Sequence, residues 1–345
     1  GTGYIFQCTT AGVLSFPVKA EQHNQLLMKN AVTLPLTAHP SDNSANKGWN
    51  YLGNPYPCYY DIYYMDFTAP ITVWTGSTYK AYSITDDNFV LRPMQGFFVQ
   101  KPDEIDRIVM QPAGCQIEST SKRTAALASS RSRSNVERNI FNIEISVDTL
   151  VDMTRVVLNE NAAFYYEMEC DAAKFMSTEE YMPQIFTIDA EGNYLAINER
   201  PSDDCVVALG LYIPDSERVY TLSASKADKD IYLFDNAMGK VVANLAEEAY
   251  EIYPDAEGYI PDHYMLKFNA SDYTLMEDVV DGISVSGNSD GISVSGCDNA
   301  GITVYAVDGK VIRTAAAFNG EFRLNVEHGV YIVNVNGVNH KVVVK

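Results

Sequence analysis

Gly329-Val-Tyr-Ile-Val-Asn-Val-Asn-Gly-Val-Asn-His-Lys-Val-Val-Val-Lys345 reads as two strands joined at Asn336-Gly337. Asn-Gly supplies the positive φ angles that a tight two-residue hairpin demands. The turn sets Val333 and Val335 in a hairpin with Val338 and Val342 nearby, which pins the terminal strand inside a sheet. The same device occurs upstream in Gly301-Ile-Thr-Val-Tyr-Ala-Val-Asp-Gly-Lys-Val-Ile312, where Asp308-Gly309 separates Val304–Val307 from Val311-Ile312. Between residues 281 and 296 the chain repeats itself: Asp281-Gly-Ile-Ser-Val-Ser-Gly287 and Asp290-Gly-Ile-Ser-Val-Ser-Gly296. Two copies are too few for a calcium-binding β-roll. The expectation is a replicated first strand, or a linker plus a first strand.

Moving toward the N-terminus, short strands and turn signals continue. Over 139–275 the candidates are Ile140–Val147, Thr154–Asn159, Ile185–Ile188, Tyr194–Asn198, Val206–Ile213, Tyr220–Ala224, Ile231–Asp235, Lys240–Asn244 and Tyr264–Phe268. One short helical stretch is expected near Ala172–Tyr181. Residues 122–138 are small, polar and locally basic and carry no apolar period. They read as an exposed linker, with a processing site for a basic-specific protease or a patch for anionic glycans as the functional alternatives. Over 1–121 the candidates are Tyr4–Cys8, Val13–Phe16, Trp49–Leu52, Ile71–Thr75, Tyr79–Ile84, Phe97–Gln100 and Arg107–Gln111. The expected fold is all-β: two antiparallel, jelly-roll-like sandwiches at 1–121 and 139–275, then a small Ig-like sandwich at 276–345.

Composition supports this. The 345 residues include 23 tyrosines and 14 phenylalanines, which favour strands, and 46% of them are hydrophobic, enough for real cores. A net charge of −20 argues against nucleic acid as a partner, because phosphates would be repelled. No apolar run approaches the ~20 residues that span a bilayer. The six cysteines, at 8, 58, 115, 170, 205 and 297, include no CxxC, which disfavours zinc ribbons and thioredoxin-like motifs. Their wide spacing suggests small buried thiols rather than a dense disulfide framework.

Three stretches carry a family resemblance. The Val307-Asp-Gly-Lys-Val311 hairpin, Gly329-Val-Tyr-Ile-Val333 and the terminal Lys341-Val-Val-Val-Lys345 resemble the C-terminal sorting domain of the type IX secretion system of Bacteroidetes. Gly48-Trp-Asn-Tyr-Leu-Gly-Asn-Pro-Tyr-Pro57, with Met94-Gln-Gly-Phe-Phe-Val99, is similar to a β module recurrent in secreted proteins of these bacteria. Asp171–Lys174 with Leu195–Asn198 resembles a β-sandwich that often precedes the sorting domain. The resemblance implies a fragment of an exported precursor, delivered to the cell surface or medium by the type IX machinery. It makes Asp308, Gly309, Lys310, Gly329, Tyr331, Lys341 and Lys345 the sorting-signal residues.

No chemistry is legible. The five histidines are scattered, and neither a nucleophile elbow, a P-loop nor a dinucleotide fingerprint occurs. Neither a metal nor a cofactor is expected, and no catalytic residue is assigned. Asp86-Asp87-Asn88 or Asp203-Asp204 could offer oxygens to calcium from a sandwich loop, or are plain solvated turn residues. The best binding candidate is Tyr56-Pro-Cys-Tyr-Tyr-Asp-Ile-Tyr-Tyr64. Tyr59, Tyr60, Tyr63 and Tyr64 can stack on sugar faces while Asp61 accepts hydroxyl hydrogen bonds, or the rings can pack inward. The expected function is non-catalytic: an adhesin-like region binding glycans or host surface proteins. The alternative is the accessory C-terminal region of a larger secreted hydrolase or protease.

Overall fold

Ten residues, Arg138–Val147, alternate without a break: Asn139, Phe141, Ile143, Ile145 and Val147 are buried and their neighbours are half-exposed. A strand with one face on a core reads this way because successive side chains point to opposite faces. The computed structural model to which this strand belongs describes residues 12, 30–120, 138–202, 206–268, 277–280, 283–288, 291–296, 301–306, 310–316, 321–335 and 338–344. The expected strands Tyr4–Cys8 and Val13–Phe16, residues 121–137 and the turns Asp308-Gly309 and Asn336-Gly337 lie outside them. Among the described residues the protein is all-β, with three short 3-10 turns. Two compact units divide the chain, one holding 1–204, 210–228 and 251–260, the other 205–209, 229–250 and 261–345.

In the first unit the N-terminal strands are β1 (Val32–Pro35), β2 (Trp49–Gly53), β3 (Tyr59–Asp61), β4 (Met65–Asp66), β5 (Ile71–Trp74), β6 (Tyr79–Tyr82), β7 (Val90–Leu91), β8 (Gly96–Gln100), β9 (Arg107–Met110) and β10 (Cys115–Gln116). They form a four-stranded sheet in the order β2-β8-β5-β6 and two three-stranded sheets, β1-β9-β4 and β10-β3-β7. Their shared core includes Tyr60, Ile62, Met65, Ile71, Phe97 and Ile108, none of them exposed at all.

The next strands are β11 (Arg138–Val147), β12 (Leu150–Asn159), β13 (Ala172–Ala173), β14 (Gln184–Ile188), β15 (Tyr194–Arg200), β16 (Val206–Ile213), β17 (Tyr220–Ala227), β18 (Tyr232–Asp235), β19 (Lys240–Asn244), β20 (Tyr250–Ile252) and β21 (Gly258–Lys267). β11 and β12 form a hairpin in which Val147 faces Leu150 and Asp148 takes a positive φ of 51°. On its other side β12 pairs with β15 in parallel, a departure from the antiparallel expectation. In place of the expected helix at 172–181, Ala172 and Ala173 add a two-residue strand to β15, and the Lys174 N–H bonds to the Tyr194 carbonyl. Arg138, assigned by composition to the linker, opens β11 instead. Its guanidinium is nearly buried because Asp86 and Glu199 neutralise it at 2.8 and 2.7 Å.

The second unit holds the β19-β18-β21 ladder and the C-terminal strands β22 (Glu277–Val280), β23 (Ile283–Asn288), β24 (Gly291–Ser295), β25 (Gly301–Ala306), β26 (Val311–Ala316), β27 (Glu321–Leu324), β28 (Gly329–Val335) and β29 (Val338–Val344). These eight form two four-stranded sheets, β22-β23-β24-β27 and β26-β25-β28-β29. The duplicated Gly-Ile-Ser-Val-Ser-Gly stretches both contribute strands, β23 and β24, so the first copy is not a linker. They pair with each other, Val285 opposite Val294. The C-terminal hairpin has the expected two-residue register, Val335 opposite Val338 and Tyr331 opposite Val342. Val285, Ile292, Val294, Ile302, Val304, Val333, Val335, Val342 and Val344 form one buried cluster.

Within the first unit, buried charges link the N-terminal strands to the second set. Arg155 forks onto Asp87 at 2.8 and 2.7 Å. Lys174 pairs with Asp152, both essentially unexposed, and Thr78 Oγ1 donates to the same carboxylate. Burial alone would raise the Asp86 carboxyl, but the hydrogen bonds and charge of Arg138 more than offset it, so Asp86 sits below the ordinary 3.8. A lowered folded pKa gives stability that is full above the unfolded value of 3.8 and lost as pH falls through the folded value. Melting temperature should therefore fall steeply on acidification below about pH 4, and Asp86→Asn should flatten that limb. An unchanged acid limb in Asp86→Asn would assign the acid sensitivity to other carboxylates.

Candidate functional site

The four-stranded sheet β2-β8-β5-β6 has one face in the core; the other carries aromatic rings among the buried Thr72 and Gln100, and its Trp49 packs against a second buried cluster of Ala45, Tyr166, Ala173 and Leu195. The register sets Tyr51 opposite Phe98, Phe98 opposite Thr72, and Trp74 opposite Tyr79. Trp49 lies two residues before Tyr51, so the period of two places Trp49, Tyr51, Phe98, Trp74 and Tyr79 on the same side. Leu52, Phe97, Val99, Ile71 and Val73 point the other way and are buried. Phe175, from the segment after β13, joins the aromatic side.

The rings touch in sequence. Trp49 meets Phe175 at 4.5 Å, Phe175 meets Phe98 at 5.1 Å and Tyr79 at 5.5 Å, Tyr51 meets Phe98 at 4.5 Å, and Tyr79 meets Trp74 at 4.8 Å. All six are half-buried. Tilted and edge-on arrangements dominate, as the ring quadrupole prefers. Gly96 leaves room for the Tyr51 ring, since a Cβ there would lie 2.0 Å from the Tyr51 hydroxyl oxygen and displace it. Burial, and then Tyr79 nearby, pushes the Tyr51 phenol up, which keeps it a neutral hydroxyl. The Trp49 indole N–H donates to the Ala45 carbonyl at 2.9 Å and fixes that ring. A rigid row of aromatic faces with a phenolic hydroxyl can stack on the apolar side of a sugar or pack against a protein partner.

The Tyr-rich segment takes a different place. Tyr60 is fully buried, Tyr63 is 4% exposed and Asp61 2%. Tyr60 stacks on Tyr56 at 5.4 Å, inside the core. Asp61 Oδ1 accepts the Tyr63 N–H at 3.1 Å and caps the 3-10 turn Ile62–Tyr64. These three side chains pack inward rather than offering a stacking platform, and Tyr59 and Tyr64 are half-buried. Asp61 and Tyr64 do line one edge of a cleft of about 420 Å³, with Ala113, Cys115, Gln116, Ile117 and Glu118.

Asp86 and Asp87, offered as calcium ligands, are instead spent on Arg138 and Arg155. Asp203-Asp204 lies outside the described residues. No group of three or more His, Cys, Asp or Glu suited to a metal occurs among the described residues. Of the sorting-signal residues, Gly329 and Tyr331 lie on β28, opposite Val344 and Val342, and Lys341 on β29 faces Ile332. The Lys310 carbonyl accepts the Ala306 N–H at 2.9 Å and closes the β25–β26 hairpin. The Tyr331 hydroxyl donates to the Glu327 carbonyl at 2.8 Å. Asp308, Gly309 and Lys345 lie outside the described residues. Comparison with protein-family models, curated proteins and solved structures finds no match to this chain.

The aromatic row was within reach of the sequence. Trp49-x-Tyr51 and Phe98 are the residues of the two quoted motifs, and Trp74 and Tyr79 flank the turn between β5 and β6. Only Phe175 required the fold.

Proposed function

We propose that this chain is a non-catalytic, exported surface protein whose aromatic row binds glycan and whose C-terminal sheets serve as a type IX export address. The observation that carries the binding half is the row itself: five half-buried rings on one sheet face with Phe175 packed against three of them, and a packed core beneath. Aromatic side chains with a polar tip are the groups that recognise partners with one apolar and one polar side. A row backed by a packed sheet loses little conformational freedom on binding. The export half rests on the Gly329–Lys345 motif and on the buried valines of the tail, whose closed core suits a module recognised as a unit.

Deleting residues 330–345 in the native host should leave the protein in the periplasm with its upstream strands still folded. The deletion removes β29 and most of β28, and with them four of the tail's nine core side chains. Normal surface delivery of the truncated chain would end the sorting reading and leave the tail as an ordinary Ig-like module.

A further inference from the structure

Two of the six cysteines lie side by side. Cys115 opens β10, directly opposite Tyr60 on β3, with Gln116 opposite Tyr59. Cys58 lies in the bend just before β3, two residues from Tyr60. Both cysteines belong to the N-terminal core, Cys58 buried within it and Cys115 packed against it. Beyond the effect of burial, the two thiols are close enough for Cys58 to raise the Cys115 thiol. A disulfide requires the two Cα atoms to come within about 7 Å, a spacing that two thiols in one core cluster can reach with a small shift of the bend before β3.

We propose that Cys58 and Cys115 close a disulfide when the chain folds in an oxidising compartment. The oxidant is a second disulfide, either a small-molecule one or that of a thiol oxidase. The Cys115 thiolate attacks one of its sulfurs and expels the other as a thiolate. The Cys58 thiolate then displaces the attached sulfur and forms the Cys58–Cys115 bond. The protein loses two electrons and two protons, and the oxidant gains them as two thiols. In the folded protein Cys115 lines a cleft of about 420 Å³ while Cys58 is only 9% exposed, so Cys115 is the thiol through which a folded, reduced sample reoxidises. In the folded, reduced protein, burial and then the Cys58 contact push the Cys115 thiol up to about 12. Thiolate is then scarce at neutral pH, so the bond closes during folding, and a folded reduced sample reoxidises slowly. The bond would tie β3 to β10 and enclose the strands from β3 to β9 in one loop, which restricts the unfolded chain.

The test uses the full chain, refolded with a glutathione redox pair, alkylated and mapped by mass spectrometry. The expected result is a linked pair of peptides carrying Cys58 and Cys115, and a melting midpoint roughly 5–10 °C above that of the reduced sample. Cys115→Ser should leave Cys58 open to alkylation after unfolding and remove the difference between oxidised and reduced samples, and Cys58→Ser should do the same for Cys115. The map of the unaltered chain decides the matter even if neither variant folds. Alkylation of both cysteines after oxidative refolding, or a link from either to Cys8, Cys170, Cys205 or Cys297, would overturn the proposal.

Discussion

Asp152→Ala should lower the stability of the first unit by about 3–5 kcal/mol, the cost of leaving a buried charge without its partner. Asp152 sits on β12 with 3% exposure, and its carboxylate takes three donors: Lys174 Nζ, Thr78 Oγ1 at 3.2 Å and the Ile185 N–H at 2.9 Å. The Lys174 side chain has no exposure at all, so solvent cannot take over when the carboxylate is removed. One side chain thereby joins the turn after β5, the segment after β13 and the start of β14. Removing both charges in Asp152→Ala, Lys174→Met should cost less than the sum of the two single changes, because no orphan charge remains. Urea unfolding of the four proteins measures this coupling. Strict additivity would show that the pair contributes nothing beyond its separate hydrogen bonds.

Tyr60→Ala should be nearly as damaging, at about 3–5 kcal/mol, because it empties a fully buried aromatic site. Tyr60 stacks on Tyr56, and its ring lies against Gly114, where a Cβ would be 2.6 Å from the ring. Partial collapse of so tight a site recovers little of the loss. Glycan affinity measured on the fraction that remains folded should be unchanged, since Tyr60 faces the core and not the aromatic row. A variant of normal stability that loses binding would return the site to the Tyr-rich segment.

Why that segment misleads is a matter of period. A strict strand would send Tyr59, Asp61 and Tyr63 to one side and Tyr60 and Tyr64 to the other. The 3-10 turn at Ile62–Tyr64 breaks the alternation, so Tyr60 and Tyr63, three residues apart, both enter the core. Local signals elsewhere carry far. The β28–β29 register is the one that a two-residue connection calls for, and the paired Gly-Ile-Ser-Val-Ser-Gly stretches form two strands whose valines, Val285 and Val294, are both buried. Long-range partners are where local reading stops. Asp86 and Asp87 look like a solvated pair until Arg138 and Arg155, more than fifty residues on, take their charges. Likewise, nothing local foretells that β15 will lie parallel to β12, or that Phe175 will complete a ring cluster begun at Trp49.

The row contains both of the chain's tryptophans, Trp49 and Trp74, so its occupancy can be read optically. The most direct measurement is a titration of the intact chain with soluble mucin-type and plant-type oligosaccharides, followed by tryptophan emission. The account predicts a saturable change in emission with at least one sugar class. It also predicts that Trp74→Ala, which removes a ring touching Tyr79 without disturbing the core face, weakens that binding by about tenfold or more. Binding that leaves both tryptophans unperturbed, or that Trp74→Ala retains in full, would contradict a glycan site on the aromatic row.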